Sequence, residues 1–247
     1  MTHPYFGAPG WVAALAHRGF APDGLENSMA AFRAAVDLGY RYVETDAHGT
    51  ADGHAVLMHD AALDRTTDRT GRIAELPWSE VRAARVGGSE PVPLLEDLLG
   101  AWPDVRVNVD VKERSGIEPV AAAIERTNAH DRVCVASFSA ARRDATVARL
   151  SRPVATSAAT AEAVAFLVGG RATRGFDAYQ VPWRFRGRQV LTARHVRAAH
   201  RAGRPVHVWT VNDPDDMRTL LDLGVDGIIS DRADLLREVL AERRLWA

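Results

Sequence analysis

Three clusters of acidic and histidine residues sit where short apolar runs end. Ala13-Ala14-Leu15-Ala16 leads into His17-Arg18-Gly19, Tyr42-Val43 carries Glu44 and Asp46, and Ala55-Val56-Leu57-Met58 stops at His59-Asp60. Read as strands, these runs alternate side chains between two faces, so Glu44 and Asp46 project to the same side. Two carboxylates aimed together repel unless a cation lies between them or one is protonated. His17 and His59 are of the type that takes up and gives back a proton near neutral pH. Together these residues read as a metal-assisted acid–base site.

A further apolar run repeats the pattern. Asn108-Val109-Asp110-Val111-Lys112 puts Asp110 and Lys112 on one face. They could form a structural ion pair, but burying such a pair is rarely stabilising by itself, which favours a ligand-bearing role. Lys112 is also unusual in composition. It is the only lysine among 31 basic residues, the other 30 being arginine. Where arginine serves for nearly every cation, one retained ammonium points to a site that fits a compact, movable point charge.

These residues need a scaffold that gathers strand ends. Apolar, β-branched runs at Val105–Val111, Arg132–Ala136, Val154–Ser157, Ala178–Val181, Val206–Trp209 and Gly227–Ile229 alternate with amphipathic stretches. Asn27 or Ser28 could cap a helix over Met29 to Val36, stopped by Gly39. With the runs ending at Ala16 and Asp46, this gives eight strand–helix alternations in 247 residues, and predicts an α/β fold, a TIM (β/α)8 barrel. An open doubly wound sheet would carry a glycine-rich phosphate turn after strand one, and His17-Arg18-Gly19 is not one. In a barrel the strand C-termini form one mouth, where His17, Glu44, Asp46 and Asp110 would meet, their carboxyl oxygens converging. Residues 47–99 are too long for an ordinary loop and predict a small insertion after strand two, within one domain spanning 1–247.

Bulk composition narrows the function classes. A hydrophobic fraction of 47% supplies a core, and a formal charge of −1 argues against a nucleic-acid-binding surface. Cys134 is the only cysteine and lies within an apolar run, so a buried structural thiol is expected. No signal-peptide pattern and no long apolar span is present, which leads to the expectation of a cytoplasmic protein without membrane insertion.

The motifs, in their order and spacing, resemble the glycerophosphodiester phosphodiesterase family over nearly the whole chain. They comprise His17-Arg18-Gly19 with Glu26-Asn27-Ser28, Val43-Glu44-Thr45-Asp46, Thr50-Ala51-Asp52-Gly53, and His59-Asp60 with Leu63-Asp64-Arg65-Thr66-Thr67. Val92 to Leu99, Asn108 to Lys112, Ser137-Phe138, Val208 to Asp213 and Gly224 to Asp231 continue the likeness. The resemblance implies a barrel with an insertion after strand two. It also implies hydrolysis of glycerophosphodiesters to glycerol phosphate and an alcohol with a divalent cation, Mg or Ca. Carried onto this chain, it makes Glu44, Asp46 and Asp110 the metal ligands and His17 and His59 the acid–base pair. Arg18 and Lys112 would contact phosphate, and Trp209 would wall the substrate. One position departs: Asp110 stands where the family usually has glutamate, one methylene longer. Two other readings remain open at this point, a phospholipase D-like enzyme acting on lysophospholipids or sphingolipids, and an inactive barrel that binds a phosphorylated ligand. The alcohol, the nucleophile (water or the glycerol hydroxyl beside the phosphate) and the oligomeric state are left open by these residues.

Overall fold

The structure, a computed structural model, describes residues 3–8 and 10–246. Its strands are β1 (Ala13–Ala16), β2 (Tyr42–Gly49), β3 (Ala55–Leu57), β4 (Arg85–Val86), β5 (Glu90–Pro91), β6 (Arg106–Val111) and β7 (Val133–Ala136). They continue with β8 (Ala155–Thr156), β9 (Tyr179–Pro182), β10 (Arg184–Phe185), β11 (Arg188–Gln189), β12 (Val206–Trp209) and β13 (Gly227–Ser230). Eight of them form a parallel sheet in the order β8-β7-β6-β2-β1-β13-β12-β9. The two ends of that path meet: Ser157 and Ala178 form a parallel bridge, and the Ala158 amide donates to the Ala178 carbonyl at 2.9 Å. The sheet closes on itself as a (β/α)8 barrel, as the alternation of elements predicted.

The helices are α1 (Met29–Asp37), α2 (Trp78–Val81), α3 (Leu95–Ala101), α4 (Ile117–Arg126), α5 (Ala140–Val147), α6 (Thr160–Gly169), α7 (Ala193–Arg201), α8 (Pro214–Leu223) and α9 (Ala233–Glu242). Ser28, not Asn27, caps α1, its hydroxyl accepting from the Ala31 amide at 3.1 Å.

Strand parity divides the buried side chains into two populations. Ala14, Ala16, Val43, Val107, Val109, Val133, Val135 and Val208 pack outward against helix residues such as Phe32, Val120 and Leu236. Ala13, Leu15, Tyr42, Cys134, Ala155 and Ile229 form a separate inner cluster with Tyr5 and Phe6. The Tyr42 hydroxyl donates to the Tyr5 carbonyl at 2.8 Å, which ties the N-terminal segment across the barrel floor. Every second residue from an inner position therefore climbs the barrel interior toward the C-terminal mouth.

The segment after β2 departs from the expected boundaries. Ala47, His48 and Gly49 remain in β2, where they pair antiparallel with β3, because the strand runs past the barrel rim. At the other end, Leu95, Leu98 and Leu99 of α3 pack in the outer core with the barrel strands. We therefore place the inserted segment at 50–94. It carries β3, the β4–β5 ladder and an apolar cluster of its own, including Val56, Leu63, Ile73 and Val81.

His207 occupies an inner position of β12, and Gly227 on β13 is what admits it. A Cβ at Gly227 would lie 2.7 Å from the His207 ring and 2.9 Å from the Ala13 carbonyl. The imidazole is fully buried and its Nδ1 has no hydrogen-bond partner. Burial disfavours the imidazolium and brings the pKa down from 6.5 to about 4. Below pH 6.5 the unfolded chain takes up a proton that the folded chain refuses until about pH 4. The His207 contribution to stability is therefore full above pH 6.5 and falls by about 3 kcal/mol as pH drops toward 4. Urea unfolding midpoints of the wild type and of His207→Phe, measured across that range, should diverge as pH falls, the variant gaining on the wild type.

Candidate active site

The inner parity series end in chemistry. Ala13 and Leu15 are followed by His17, Tyr42 by Glu44 and Asp46, Asn108 by Asp110 and Lys112, His207 by Trp209, and Gly227 and Ile229 by Asp231. All of these except His207, Gly227, Asp231 and the floor residues line one open cleft of about 870 Å³ at the barrel mouth; His59 reaches it from the inserted segment.

Parallel pairing of β2 with β6 sets Asp46 directly opposite Asp110 and Glu44 opposite Asn108. The Lys112 ammonium lies between the two aspartates, 2.7 Å from Asp46 Oδ1 and 2.8 Å from Asp110 Oδ2. Burial opposes the charge on Lys112, but these carboxylates outweigh it and raise its pKa. Asp46 is the best-supported anion. Burial alone would raise its pKa, yet Lys112 and Arg18 hold it below the usual carboxylate range, with Asn27 Nδ2 donating at 3.0 Å. Arg18 Nε is 3.2 Å from Asp46 Oδ2 but is not aligned as a hydrogen bond.

Glu44 is the least-supported. Burial and the neighbouring Asp46 push its pKa up to about 7. Its Oε2 accepts from the Arg18 amide at 3.2 Å and lies 3.8 Å from His17 Nε2. Asp110 is also raised, chiefly by burial, and its Oδ1 is buried with no hydrogen-bond partner.

The expected convergence of Glu44, Asp46 and Asp110 is not found. Among the described residues, no three His, Cys, Asp or Glu side chains are gathered around one point. Lys112 is the physical reason, since it fills the gap between Asp46 and Asp110. The donor chemistry nevertheless fits a hard divalent cation. An orphaned carboxylate oxygen on Asp110 and a proton-holding Glu44 are oxygen ligands whose charge is incompletely met.

Each histidine is held by an aspartate. His17 Nδ1 lies 2.5 Å from Asp231 Oδ1, and His59 Nδ1 lies 2.6 Å from Asp60 Oδ1. A carboxylate can only accept, so Nδ1 carries the proton in both rings and Nε2 is left free of that contact. Burial would lower the His17 pKa, but Glu44 and the Asp231 hydrogen bond outweigh it and the pKa is raised. Asp231 is itself fixed by Asn212 Nδ2, which donates to its Oδ2 at 2.7 Å.

The turn after β1 needs its particular residues. Arg18 and Asn27 both have left-handed backbone (φ 56° and 57°), and the Asn27 amide donates to the Arg18 carbonyl at 2.9 Å. Gly19 has φ 80°, and a Cβ there would be 2.6 Å from the Ala31 backbone, so only glycine lets α1 approach. Asn27 serves as a support for Asp46, and Asp60 orients His59. Trp209 walls the cleft and meets Phe138 edge to face at 5.8 Å. Phe185 lines the cleft, whereas Trp183 is buried in the outer core. Sequence reading passed over Asp231 as a site residue; the parity 227, 229, 231 along β13 was the signal that could have found it.

Comparison with known proteins places the chain among relatives of the same fold. A family model described as the glycerophosphoryl diester phosphodiesterase family matches residues 17–235. A protein of Mycobacterium tuberculosis named probable glycerophosphodiester phosphodiesterase 2 is 49% identical, the alignment covering 94% of this chain and 92% of that protein. A crystal structure from Silicibacter pomeroyi has the same fold, with a TM-score of 0.81 and 23% identity over 98% of this chain and 97% of its own. An Oleispira antarctica phosphodiesterase, solved with the product sn-glycerol-3-phosphate, matches with a TM-score of 0.78 and 20% identity, covering 94% and 97%.

Asp231→Asn leaves the ring of His17 in place but removes the carboxylate charge. Because Asn212 Nδ2 claims the amide oxygen, the variant turns an NH2 toward Nδ1 and so selects the wrong tautomer. Turnover should fall by about 10²-fold with KM little changed, and the pH dependence of kcat should shift. Unchanged turnover and pH profile would make Asp231 an incidental neighbour of His17.

Proposed function

Because the chain belongs to the glycerophosphoryl diester phosphodiesterase family, we propose that it hydrolyses glycerophosphodiesters to glycerol phosphate and an alcohol through His17 and His59. The observation that supports this reading best is the pair of Asp-oriented histidines facing one cleft that also presents Lys112, Arg18 and three carboxylates.

A phosphodiester anion entering the mouth is met by the Arg18 guanidinium and the Lys112 ammonium. Two of the three Lys112 donors are engaged by Asp46 and Asp110, which leaves one for a phosphate oxygen. One histidine takes the proton from the attacking hydroxyl, and the other gives one to the departing alkoxide. Trp209 provides a flat wall for the glycerol moiety.

Enzymes of this family are generally dependent on a divalent metal. Here Glu44, Asp46 and Asp110 would hold it, and oxygen-only ligation suits Mg or Ca. When bound, such an ion supplies positive charge that offsets repulsion between the phosphate and an oxygen nucleophile.

A phospholipase D-like reading gains some support from the apolar side of the cleft, where exposed Phe138, Val164, Val168 and Phe185 all contribute. The inactive-barrel reading is disfavoured by the completeness of the histidine pairs. The deciding experiment is a turnover panel of glycerophosphocholine, glycerophosphoethanolamine, glycerophosphoglycerol, glycerophosphoinositol and lysophosphatidylcholine. Each is assayed with chelator and with added Mg or Ca. Turnover of glycerophosphodiesters that chelator abolishes is expected; turnover of lysophosphatidylcholine alone would favour the second reading.

Three mutational outcomes follow. His17→Ala and His59→Ala should each lower kcat by about 10²–10⁴-fold, with a smaller change in KM. Near-native turnover in either variant would remove that residue from the mechanism. Lys112→Arg should be severely impaired despite its kept charge, because a planar fork does not fit between two carboxylates 2.7 and 2.8 Å from one nitrogen. Asp110→Glu, by contrast, should be tolerated and should lower the metal concentration for half-maximal activity. Full activity in Lys112→Arg would make the lone lysine a compositional accident.

A further inference from the structure

Helix α6 breaks the pattern of the barrel's other helices. Its buried face, Ala163 and Phe166, packs on the strands, but its outward residues Ala161, Val164, Ala165 and Val168 are apolar too. Val168 is 85% exposed and Val164 53%. Its one charged residue, Glu162, is turned to Arg143 at 2.7 Å. A helix apolar on all sides is ordinarily buried, so this face lacks a partner. Beside it the β10–β11 ladder exposes Phe185 to 62%. Val164, Val168 and Phe185 all line the catalytic cleft.

The charge around this patch is one-sided. From Ala163 to Val190 there are five arginines and a single acid, Asp177, in a chain whose formal charge is −1. Asp177 is turned inward to the Thr156 amide and hydroxyl at 2.9 Å. Arg184 pairs with Asp216, but Arg171, Arg174, Arg186 and Arg188 have no carboxylate within ion-pair distance among the described residues. All four are exposed.

We propose that the face formed by α6 and the β10–β11 ladder docks on an anionic lipid surface and brings the cleft mouth against it. A continuous apolar face accompanied by exposed, unpaired arginines matches that chemistry. The apolar groups enter the acyl boundary while the guanidiniums remain among the phosphates. An acidic protein partner would be expected to offer the arginines paired carboxylates, yet it would not require an uninterrupted apolar helix face. The docking goes beyond the hydrolytic assignment and can be read without any turnover.

The test is co-flotation with vesicles of phosphatidylcholine alone and of phosphatidylcholine mixed with phosphatidylglycerol, at low and high salt. The wild-type protein should float with the mixed vesicles, less at high salt, and not with neutral ones. Arg186→Glu with Arg188→Glu should lower the partition by about tenfold or more. Val168→Asp should do the same through the apolar contact. Turnover of water-soluble glycerophosphocholine by the arginine variant should match wild type, which shows that it is folded. Failure of the wild type to float, or flotation that survives both kinds of substitution, would overturn the docking. So would a patch that only mediates self-association or retention of an acidic protein. A protein inactive on every glycerophosphodiester of the panel but floating with anionic vesicles would refute the hydrolytic assignment and leave the docking standing.

Discussion

The barrel's register forces two carboxylates together, and the site is organised around the cation that separates them. Asp46 and Asp110 are direct partners across β2 and β6, and both point inward. Neither strand can slip by one residue without turning Val43 and Val109 out of the helix-facing core. The repulsion must therefore be met locally, and Lys112 meets it by contacting both aspartates at once. Glu44 adds a third carboxyl, against two cations, Lys112 and Arg18. One negative charge is left over, and burial magnifies its cost. Glu44 answers by holding a proton up to about pH 7. A divalent cation would reverse this balance, returning Glu44 to the ionised form and pairing the free oxygen of Asp110.

A second tier of residues fixes the first. Asp231 and Asp60 each accept from a histidine Nδ1, so both rings offer Nε2 to the cleft. Asn27 bridges its own turn to β2, donating to Asp46 and accepting from Thr45 at 2.7 Å. The left-handed backbone at Arg18 and Asn27 costs free energy that these contacts offset. The same substitution-sensitive turn thus places His17, Arg18 and the support for Asp46 within three strands' width.

Much of this was legible in the chain because it depends on period-two patterning. Inner-facing series that run from apolar to polar announce a barrel whose mouth is chemical, and this holds for His17, Glu44, Asp46 and Asp110. Two features were not legible. Whether Lys112 would face a substrate or sit between carboxylates depends on the register of β2 against β6, a long-range pairing with no local sequence signature. The extent of β2 is the second, because Ala47-His48-Gly49 breaks the apolar pattern while the backbone remains extended, and pairing with β3 compensates. Asp231 lay in plain view at the end of the Gly224 to Asp231 likeness but was given no role.

The two histidines come from different parts of the fold, so their separation must be set by something other than the barrel. His17 rides on β1, whereas His59 belongs to the inserted segment. A continuous chain of charge joins them. Arg18 Nη1 donates to Glu26 at 3.1 Å, and Arg65 Nη2 donates to the same carboxylate at 2.6 Å. Arg65 Nε then reaches Asp60 at 2.5 Å, and Asp60 holds His59. Arg65 and Asp60 are partly exposed, and such pairs contribute little to stability. Their value is geometric. Bidentate and fork-shaped contacts fix directions as well as distances, and acid–base transfer depends on reach within a few tenths of an ångström. The insertion is therefore held together by an apolar cluster of its own and aligned on the barrel by Glu26 and Arg65, two separate tasks carried by different chemistry.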